Sequence, residues 1–292
     1  MPGTILDGHR MSDEIREELR HRVAALTSRG ITPALSGFLV GDDAGSASYV
    51  RLKEKAADAI GLMSEMHRLP SNATQEELCR LLSEVAARTD VHGIFVQLPL
   101  PVQFDENAVL SLVPPEKDID GFNPQNVGRT WLGLESFAPA TPAAIMEMLR
   151  RAGCSDLRRR HAVIVNADNL VGKPTAALLL QESTGANITL CHPDTPDLAE
   201  WTRRADLLIV SVNRPRFITA DMVKKGVIAM DFGANYIDDP SSRQGSRLVG
   251  DIDFDAVLAK AAAVTPVPGG LGPMTVTMLL VHTVQAAERL TS

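Results

Sequence analysis

The sequence predicts an α/β protein of two domains, one of which contains a Rossmann-like parallel sheet. Short apolar runs alternate with segments of helical period along the 292 residues. The apolar runs are continuous rather than alternating with polar residues, which is typical of parallel strands covered on both faces. A stretch rich in proline, glycine and asparagine over 112–129 separates two such series, and we interpret it as a loop and domain boundary.

Helices and strands alternate through the first half of the chain. Apolar residues recur at helical spacing after Ser12, which we expect to cap this first helix. Thr74 and Glu77 have the spacing of a capping box in front of another amphipathic helix. The other elements predicted here are a strand over 34–41, a helix over 46–61, a strand over 63–69 and a strand over 93–101 that Pro99 and Pro101 break.

The second half repeats this alternation. Buried strands are predicted over 162–167, 187–192, 205–212 and 227–233, with a helix over 172–182 between the first two. A tight loop over 264–273 precedes a helix over 274–290, whose broad apolar face must pack on another element.

Composition and charge exclude several classes of function. The formal net charge of −7 supplies no basic face for a phosphate backbone, which argues against nucleic acid as a partner. Cys79, Cys154 and Cys191 have no metal-ligand spacing and fit a reducing compartment. The chain has neither an apolar run of the ~18 residues that a membrane span needs nor an apolar signal core. We therefore expect a cytoplasmic protein without a metal site.

Three polar side chains of the first half are candidates for chemistry. Tyr49 and Lys53 lie four residues apart on one predicted helix face, where a phenol can orient a dehydrated lysine for acid–base work. An exposed lysine on an amphipathic helix is the alternative interpretation. Gln97 interrupts an apolar strand near its carboxyl end, a position that fits a ligand contact or a core amide bonded to backbone.

Two loops offer further ligand contacts. Asp118 and Asp120 precede Gly121, so one can cap the turn while a loop carboxylate facing a cleft accepts hydrogen bonds from a heterocycle. Three glycines and three prolines within 266–275 suggest a backbone shaped to approach a ligand closely, although a structural turn has the same composition. The candidate contacts in this loop are Pro268, Gly269 and Gly270.

Five stretches, in order over nearly the whole chain, resemble one known family. They are SYVRLKEKAADAIG, GIFVQLPLP, EKDIDGFNP, VGDIDF and TPVPGGLGPMTVTMLL. They resemble the bifunctional methylenetetrahydrofolate dehydrogenase/cyclohydrolase family. The resemblance implies a catalytic folate domain (1–120 with 270–292), a Rossmann-like nucleotide-binding domain (121–269), a folate cleft between them and a homodimer formed through the nucleotide domain.

The resemblance also implies roles for individual residues. Lys53 matches the family's acid–base lysine at the one-carbon bridge of the folate, and Gln97 matches the glutamine that supports it. Tyr49 matches the tyrosine that stacks on or orients the folate. Asp120 matches the carboxylate that anchors the pterin ring, and the loop over 268–270 closes over that ring.

The nucleotide half departs from the family pattern. Where members usually read Gly-Arg-Ser-x-x-Val-Gly, this chain has Asn166, Ala167, Asp168, Asn169, Leu170, Val171 and Gly172. Pro193 and Asp194 replace Ser-Arg/Lys, and Asn213 replaces a glycine. The missing arginine and serine are the groups expected to hold the 2′-phosphate of NADP.

These replacements change the expected cofactor. A charge-assisted hydrogen bond contributes roughly 1.5–3 kcal/mol, so losing two or three lowers NADP affinity about 10²- to 10⁴-fold. Asp168 and Asp194 would also repel the 2′-phosphate, whereas an acid near the ribose accepts a hydrogen bond from NAD. The sequence favours NAD over NADP, and the two asparagines at former glycines leave open that neither nucleotide binds.

The function predicted is that of a 5,10-methylenetetrahydrofolate dehydrogenase/5,10-methenyltetrahydrofolate cyclohydrolase that does not use NADP in the usual way. One alternative keeps the folate chemistry without the redox step, as a cyclohydrolase alone or as an enzyme that passes the methylene carbon to another acceptor. A further alternative is a non-catalytic folate-binding protein, against which the retained Lys53 and Tyr49 argue.

Overall fold

The computed structural model describes residues 3–242 and 245–291. The chain forms two compact units, and each is described by itself. The large-sheet unit consists of Met1–Ser12 and Thr141–Thr275, and the small-sheet unit consists of Asp13–Ala140 and Val276–Ser292. The predicted α/β class with a parallel Rossmann-like sheet is confirmed.

The helices are α1 (Gly8–Ser28), α2 (Ala44–Asp58), α3 (Gln75–Ala86), α4 (Glu106–Leu110), α5 (Pro124–Trp131), α6 (Ala140–Arg151), α7 (Gly172–Leu179), α8 (Leu198–Thr202), α9 (Phe254–Leu258) and α10 (Leu271–Leu290), with a 3₁₀ turn at Ala220–Met222. The strands are β1 (Thr4–Ile5), β2 (Ala34–Val40), β3 (Met63–Leu69), β4 (Gly93–Val96), β5 (His161–Val165), β6 (Asn187–Cys191), β7 (Leu207–Val210), β8 (Ile228–Asp231), β9 (Asn235–Asp238), β10 (Ser246–Val249) and β11 (Ala263–Val264). Among the described residues, no helix is both long and apolar enough to cross a membrane.

The small-sheet unit is built on a three-stranded parallel sheet of order β3-β2-β4. Helix α3 begins at a complete capping box, as predicted, with Thr74 and Glu77 satisfying each other's backbone donors. Its apolar face packs Leu78 and Leu82 into a core with Phe38 of β2. The carboxyl ends of the parallel strands β2 and β4 therefore lie at one edge of a well-packed sheet.

The large-sheet unit has six parallel strands in the order β1-β11-β8-β7-β5-β6, with a separate antiparallel pair β9-β10. Strand β7 is apolar and buried along its length, as its position between β5 and β8 requires. Residues 3–12 lie in this unit rather than with the expected folate domain, because β1 pairs with β11. The loops that follow β5, β6 and β7 leave the same edge of the sheet, where α7 begins.

Three local expectations were wrong. Helix α1 begins at Gly8, so Ser12 lies inside it, and its buried hydroxyl has no hydrogen-bond partner among the described residues. Strand β4 ends at Val96, before a cis Leu98–Pro99 bond. The expected boundary loop contains α5, because Asn123 caps it and Pro124 occupies its first turn, where a missing N–H costs nothing. Residues 121–140 accordingly belong to the small-sheet unit.

We predict that Thr74→Ala lowers the free energy of unfolding by about 1 kcal/mol, because it leaves the Glu77 N–H of α3 without its cap. Equilibrium urea unfolding followed by circular dichroism measures this change. Ser83→Ala is the matched control, since the Ser83 hydroxyl bonds only to a carbonyl within the same helix. Equal effects of the two substitutions would contradict the capping role.

Candidate active site

Lys53 is the centre of the candidate site in the small-sheet unit. It projects from α2 and is only 4% exposed. Its Nζ donates to Oε1 of Gln97 at 3.2 Å and lies 3.9 Å from the centroid of the Phe95 ring and 5.2 Å from that of Tyr49. The structure thus brings together Tyr49, Lys53 and Gln97, and it adds Phe95, which the sequence analysis did not single out.

Burial sets the protonation of this lysine. Loss of hydration lowers the pKa of the Lys53 ammonium, and the nearby Asp120 carboxylate raises it by a smaller amount. The neutral amine is therefore more accessible near neutral pH than in an exposed lysine. A lysine in this state can take up and return a proton, as acid–base catalysis requires.

Gln97 is held so that its carbonyl oxygen faces the lysine. It follows β4, and its backbone N–H donates to the Phe38 carbonyl at 2.8 Å. Its Nε2 donates to the Leu98 carbonyl at 2.7 Å, which leaves Oε1 to accept from Lys53. These bonds fix which end of the amide meets the ammonium, so the glutamine both orients and stabilises Lys53.

The two aspartates of the loop after residue 116 have different roles. Asp118 runs beside β4 and accepts hydrogen bonds from the Gly121 N–H at 3.0 Å and the Asn123 N–H at 2.8 Å. It is the cap of the turn, and burial raises its pKa to about 6. Asp120 takes no part in that cap. Burial raises its pKa while Lys53 lowers it, so its carboxylate faces the electrostatic field of the lysine.

His282 of α10 supports this loop, and it was missed in the sequence. Its Nδ1 donates to the carbonyl of Ile119 at 2.8 Å, immediately before Asp120. Its ring lies 5.3 Å from that of Phe137, and burial lowers its pKa to about 4, so the ring is neutral at physiological pH. Asp120 is therefore held between the Asp118 turn and the His282 bond. A single histidine in an apolar helix gives no sequence signal for this role.

The large-sheet unit contains the predicted nucleotide turn between β5 and α7. Asp168 Oδ1 accepts the N–H groups of Leu170 at 2.9 Å and Val171 at 2.7 Å, and that of Gly172 at 3.4 Å. Asn166 is buried and its Oδ1 accepts the Gly172 N–H at 2.9 Å. A side chain at Gly172 would clash, because its Cβ would lie 2.0 Å from the Asn166 carbonyl oxygen. The start of α7 thus lies close against the end of β5.

The loop after β7 has Asn213 where the family pattern has glycine. Asn213 has a left-handed backbone with φ of 54°, which asparagine tolerates. The buried Asp251 accepts the backbone N–H groups of Val212 at 2.6 Å, Asn213 at 3.1 Å and Arg214 at 2.8 Å. This carboxylate therefore holds the loop in place.

Asp194 follows β6 and forms an ion pair. Its Oδ1 accepts from the Arg214 guanidinium at 2.7 Å, and this arginine lowers the pKa of Asp194. Both side chains are largely exposed. Ala167 lies in the loop after β5 and Pro193 in the loop after β6, and neither side chain can form a hydrogen bond.

The proline–glycine loop belongs to the large-sheet unit, whereas Lys53 and Asp120 belong to the small-sheet unit. The loop contains a cis Val267–Pro268 bond, and Gly269 has a φ of 104° that requires glycine. The Gly269 carbonyl accepts the Gly8 N–H at 2.8 Å. The expected contacts of Pro268, Gly269 and Gly270 with folate remain a prediction. No cluster of three or more metal-binding side chains occurs within residues 3–242 and 245–291.

Comparison with known proteins identifies the family. The model of the tetrahydrofolate dehydrogenase/cyclohydrolase catalytic domain matches residues 6–120, and that of the NAD(P)-binding domain matches residues 139–291. The chain belongs to this family. The family predicted from the sequence motifs is therefore confirmed.

Relatives match along the whole chain. The bifunctional protein FolD of Bacillus pumilus is 45% identical over 289 residues, which cover 99% of both chains. The crystal structure of the bifunctional FolD of Campylobacter jejuni is 42% identical, with a TM-score of 0.93, and covers 98% of this chain and 99% of that one. The Trypanosoma brucei dehydrogenase-cyclohydrolase, solved with NADP cofactor and inhibitor, is 37% identical with a TM-score of 0.94 over 99% of this chain and 98% of its own.

We predict that His282→Ala raises the KM for the folate more than it lowers kcat, because Asp120 loses one of its two supports. Leaving the Ile119 carbonyl unpaired should also lower the free energy of unfolding by about 1–3 kcal/mol. Steady-state kinetics and urea unfolding measure the two effects. His282→Asn is the conservative control, since its amide can donate to the same carbonyl. Identical KM values for the unaltered protein and both His282 variants would contradict the positioning role of His282.

Proposed function

We propose that this protein is a 5,10-methylenetetrahydrofolate dehydrogenase and 5,10-methenyltetrahydrofolate cyclohydrolase of one-carbon folate metabolism. The observation that carries the proposal is the buried Lys53 amine, held by Gln97 and placed in the field of Asp120. Membership of the tetrahydrofolate dehydrogenase/cyclohydrolase family supports the substrate class. The alternatives without catalysis or without a redox step have no support from the relatives, which are described as bifunctional.

The hydrolytic step needs one group that moves a proton, and Lys53 is that group. A water molecule adds to the bridge carbon of the methenyl cation and gives one proton to the Lys53 amine. The bond from this carbon to N5 then breaks, and N5 takes the proton back from the Lys53 ammonium. The remaining hydroxyl proton leaves to solvent as the formyl group forms on N10. One water is consumed and one proton is released.

The other residues of the site position the folate and the lysine. Asp120 is proposed to accept hydrogen bonds from the amino and ring N–H groups of the pterin, and Tyr49 to stack on or orient it. Gln97 is proposed to hold the Lys53 amine close to the bridge carbon of the bound folate. Pro268, Gly269 and Gly270 are proposed to cover the ring.

The redox step belongs to the large-sheet unit, which matches an NAD(P)-binding domain. When bound there, a nicotinamide dinucleotide would supply the oxidant for the methylene bridge. The donors that would hold it lie at the start of α7 beside Gly172 and in the loops that carry Asp194 and Asn213. Gly172 keeps the close approach of helix and strand that such a site requires.

We propose that NAD is preferred over NADP. Asp194 follows the strand next to β5 and stands about 20 residues after Gly172, the position from which an acid binds the ribose hydroxyls of NAD. A 2′-phosphate would meet this carboxylate. Arg214 does not reverse the preference, because its guanidinium is already paired with Asp194 and the local charge is compensated.

We also propose a homodimer formed through the nucleotide-binding half, and a cytoplasmic location. The dimer rests on the family resemblance. The location is supported by Cys79, Cys154 and Cys191, which are all free thiols. Analytical ultracentrifugation of the purified chain tests the dimer.

Two activities measured on one preparation test the function. With methylenetetrahydrofolate, we expect absorbance of reduced nicotinamide with NAD⁺, and with methenyltetrahydrofolate we expect loss of its absorbance by hydrolysis. Lys53→Gln should lower the hydrolytic rate at least about 10²-fold, because it removes the proton carrier. Lys55→Gln, on the exposed face of the same helix, is the matched control. Hydrolysis without any nicotinamide reduction would refute the dehydrogenase half of the proposal.

The cofactor preference is tested at Asp194. We expect Asp194→Lys to shift the ratio of kcat/KM for NADP⁺ to that for NAD⁺ upward by at least about tenfold, because a like charge at the 2′-phosphate is replaced by an opposite one. Asp255→Lys makes the same charge change at an exposed position of α9. An unchanged ratio in Asp194→Lys would mean that this side chain does not face the ribose.

A further inference from the structure

We propose that Asp168 is an internal anion at the start of α7, where it competes with the phosphates of a nicotinamide dinucleotide for the same backbone donors. The inference rests on the proposed nucleotide binding and goes beyond the choice between NAD and NADP. That choice concerns one phosphate on the ribose. Competition at the helix start concerns the pyrophosphate, which both dinucleotides carry.

The backbone donors at the start of α7 are already engaged. The N–H groups of Leu170, Val171 and Gly172 all point at Asp168 Oδ1, at 2.9, 2.7 and 3.4 Å. Val171, the residue at the helix N-cap position, provides no side-chain cap of its own. In a dinucleotide fold these are the donors that face the pyrophosphate, since it lies at the N-terminus of the helix after the first strand. The carboxylate therefore stands in for a phosphate oxygen.

Asn166 completes the arrangement. It is 7% exposed, and its Nδ2 donates to Asp168 Oδ2 at 2.8 Å and to the Ser211 carbonyl at 2.7 Å. Its Oδ1 accepts the N–H groups of Asp168 and Gly172, both at 2.9 Å. Both oxygens of the Asp168 carboxylate are thus hydrogen-bonded, and one buried amide ties the turn to the ends of β5 and β7. A glycine at position 166 could make none of these side-chain bonds.

This donor set does not fit a dinucleotide as it stands. A phosphate that approaches α7 meets a carboxylate of the same charge, and it gains the helix donors only after Asp168 turns away. Asp168 is exposed to solvent, so it can turn without unfolding the strand or the helix. The physical consequence is a lower affinity rather than a closed site. The affinity for NAD and NADP should fall by the same factor, because the competition occurs at the group they share.

A cap that only stabilises the turn would have a different effect. It would change the unfolding temperature and leave nucleotide affinity unaltered. Simple repulsion of a 2′-phosphate would change the affinity for NADP⁺ alone. Direct measurement of binding to both nucleotides separates these cases from competition at the pyrophosphate.

The test is isothermal titration of the purified full chain with NAD⁺ and, separately, with NADP⁺. Asp168→Ser removes the carboxylate and retains a hydroxyl that can cap the helix. We expect it to bind both nucleotides about tenfold more tightly than the unaltered protein, by similar factors. Asp168→Asn keeps the shape without the charge and should give a smaller gain in both. Asp255→Asn, an equal loss of charge on α9, should leave both affinities unchanged.

The outcomes are decisive in either direction. Unchanged or weaker affinity in both Asp168 variants, a gain for NADP⁺ alone, or no nucleotide binding by any variant overturns the competition. Thermal melting shows whether Asp168→Ser has folded, and Asp168→Asn carries the test if it has not. Tighter binding without nicotinamide reduction supports the competition and removes the dehydrogenase function. Nicotinamide reduction by the unaltered protein, together with unchanged nucleotide affinities of the Asp168 variants, supports the dehydrogenase function and overturns the competition.

Discussion

Removal of water from the Lys53 ammonium is the constraint on which the small-sheet unit depends. Removal from water lowers the pKa of an ammonium group unless other groups replace its hydration. Here one amide oxygen and two aromatic rings replace part of it, and Asp120 adds a weaker attraction through space. The compensation is incomplete, so the proton is held loosely. Three elements stabilise Lys53 in this protonation state. Strand β4 leads into Gln97, whereas α10 and the loop before Asp120 hold Asp120 in place.

In the large-sheet unit, polar groups of the protein likewise replace the lost hydration, but the buried charges are negative. Buried carboxylates there are matched to backbone N–H groups, as Asp251 is matched to the loop after β7. Asp231 accepts three more such groups, yet burial still raises its pKa to about 7. Loops at the carboxyl edge of this sheet are therefore shaped by the protein's own anions. Asp168 extends the same device to a helix start, where the anion elsewhere in dinucleotide folds is a ligand phosphate.

Much of this was predictable from local patterns. The apolar runs located β2 to β8, but not the two-residue strands β1 and β11 or the pair β9-β10. Four-residue spacing placed Tyr49 beside Lys53. The spacing alone could not assign the roles of Asp118 and Asp120, because either carboxylate can cap a turn and only the path of the loop beside β4 decides. The acid at position 168 raised the same ambiguity. Sequence indicates a carboxylate near a nucleotide, whereas only the hydrogen bonds from residues 170–172 show that it faces the protein's own backbone. His282 gave no signal, since its partner lies 163 residues away.

Two acids that look equivalent in the sequence therefore differ in what compensates their charge. Asp168 is balanced by the partial positive charge of a helix start and by a buried amide. Asp194 is balanced by an exposed guanidinium, and a surface pair of that kind contributes little to stability. Under the two proposals, Asp168 acts on the affinity for any dinucleotide and Asp194 acts on the choice between them. Because different groups compensate the two charges, the two proposals predict that nucleotide affinity and cofactor choice change independently.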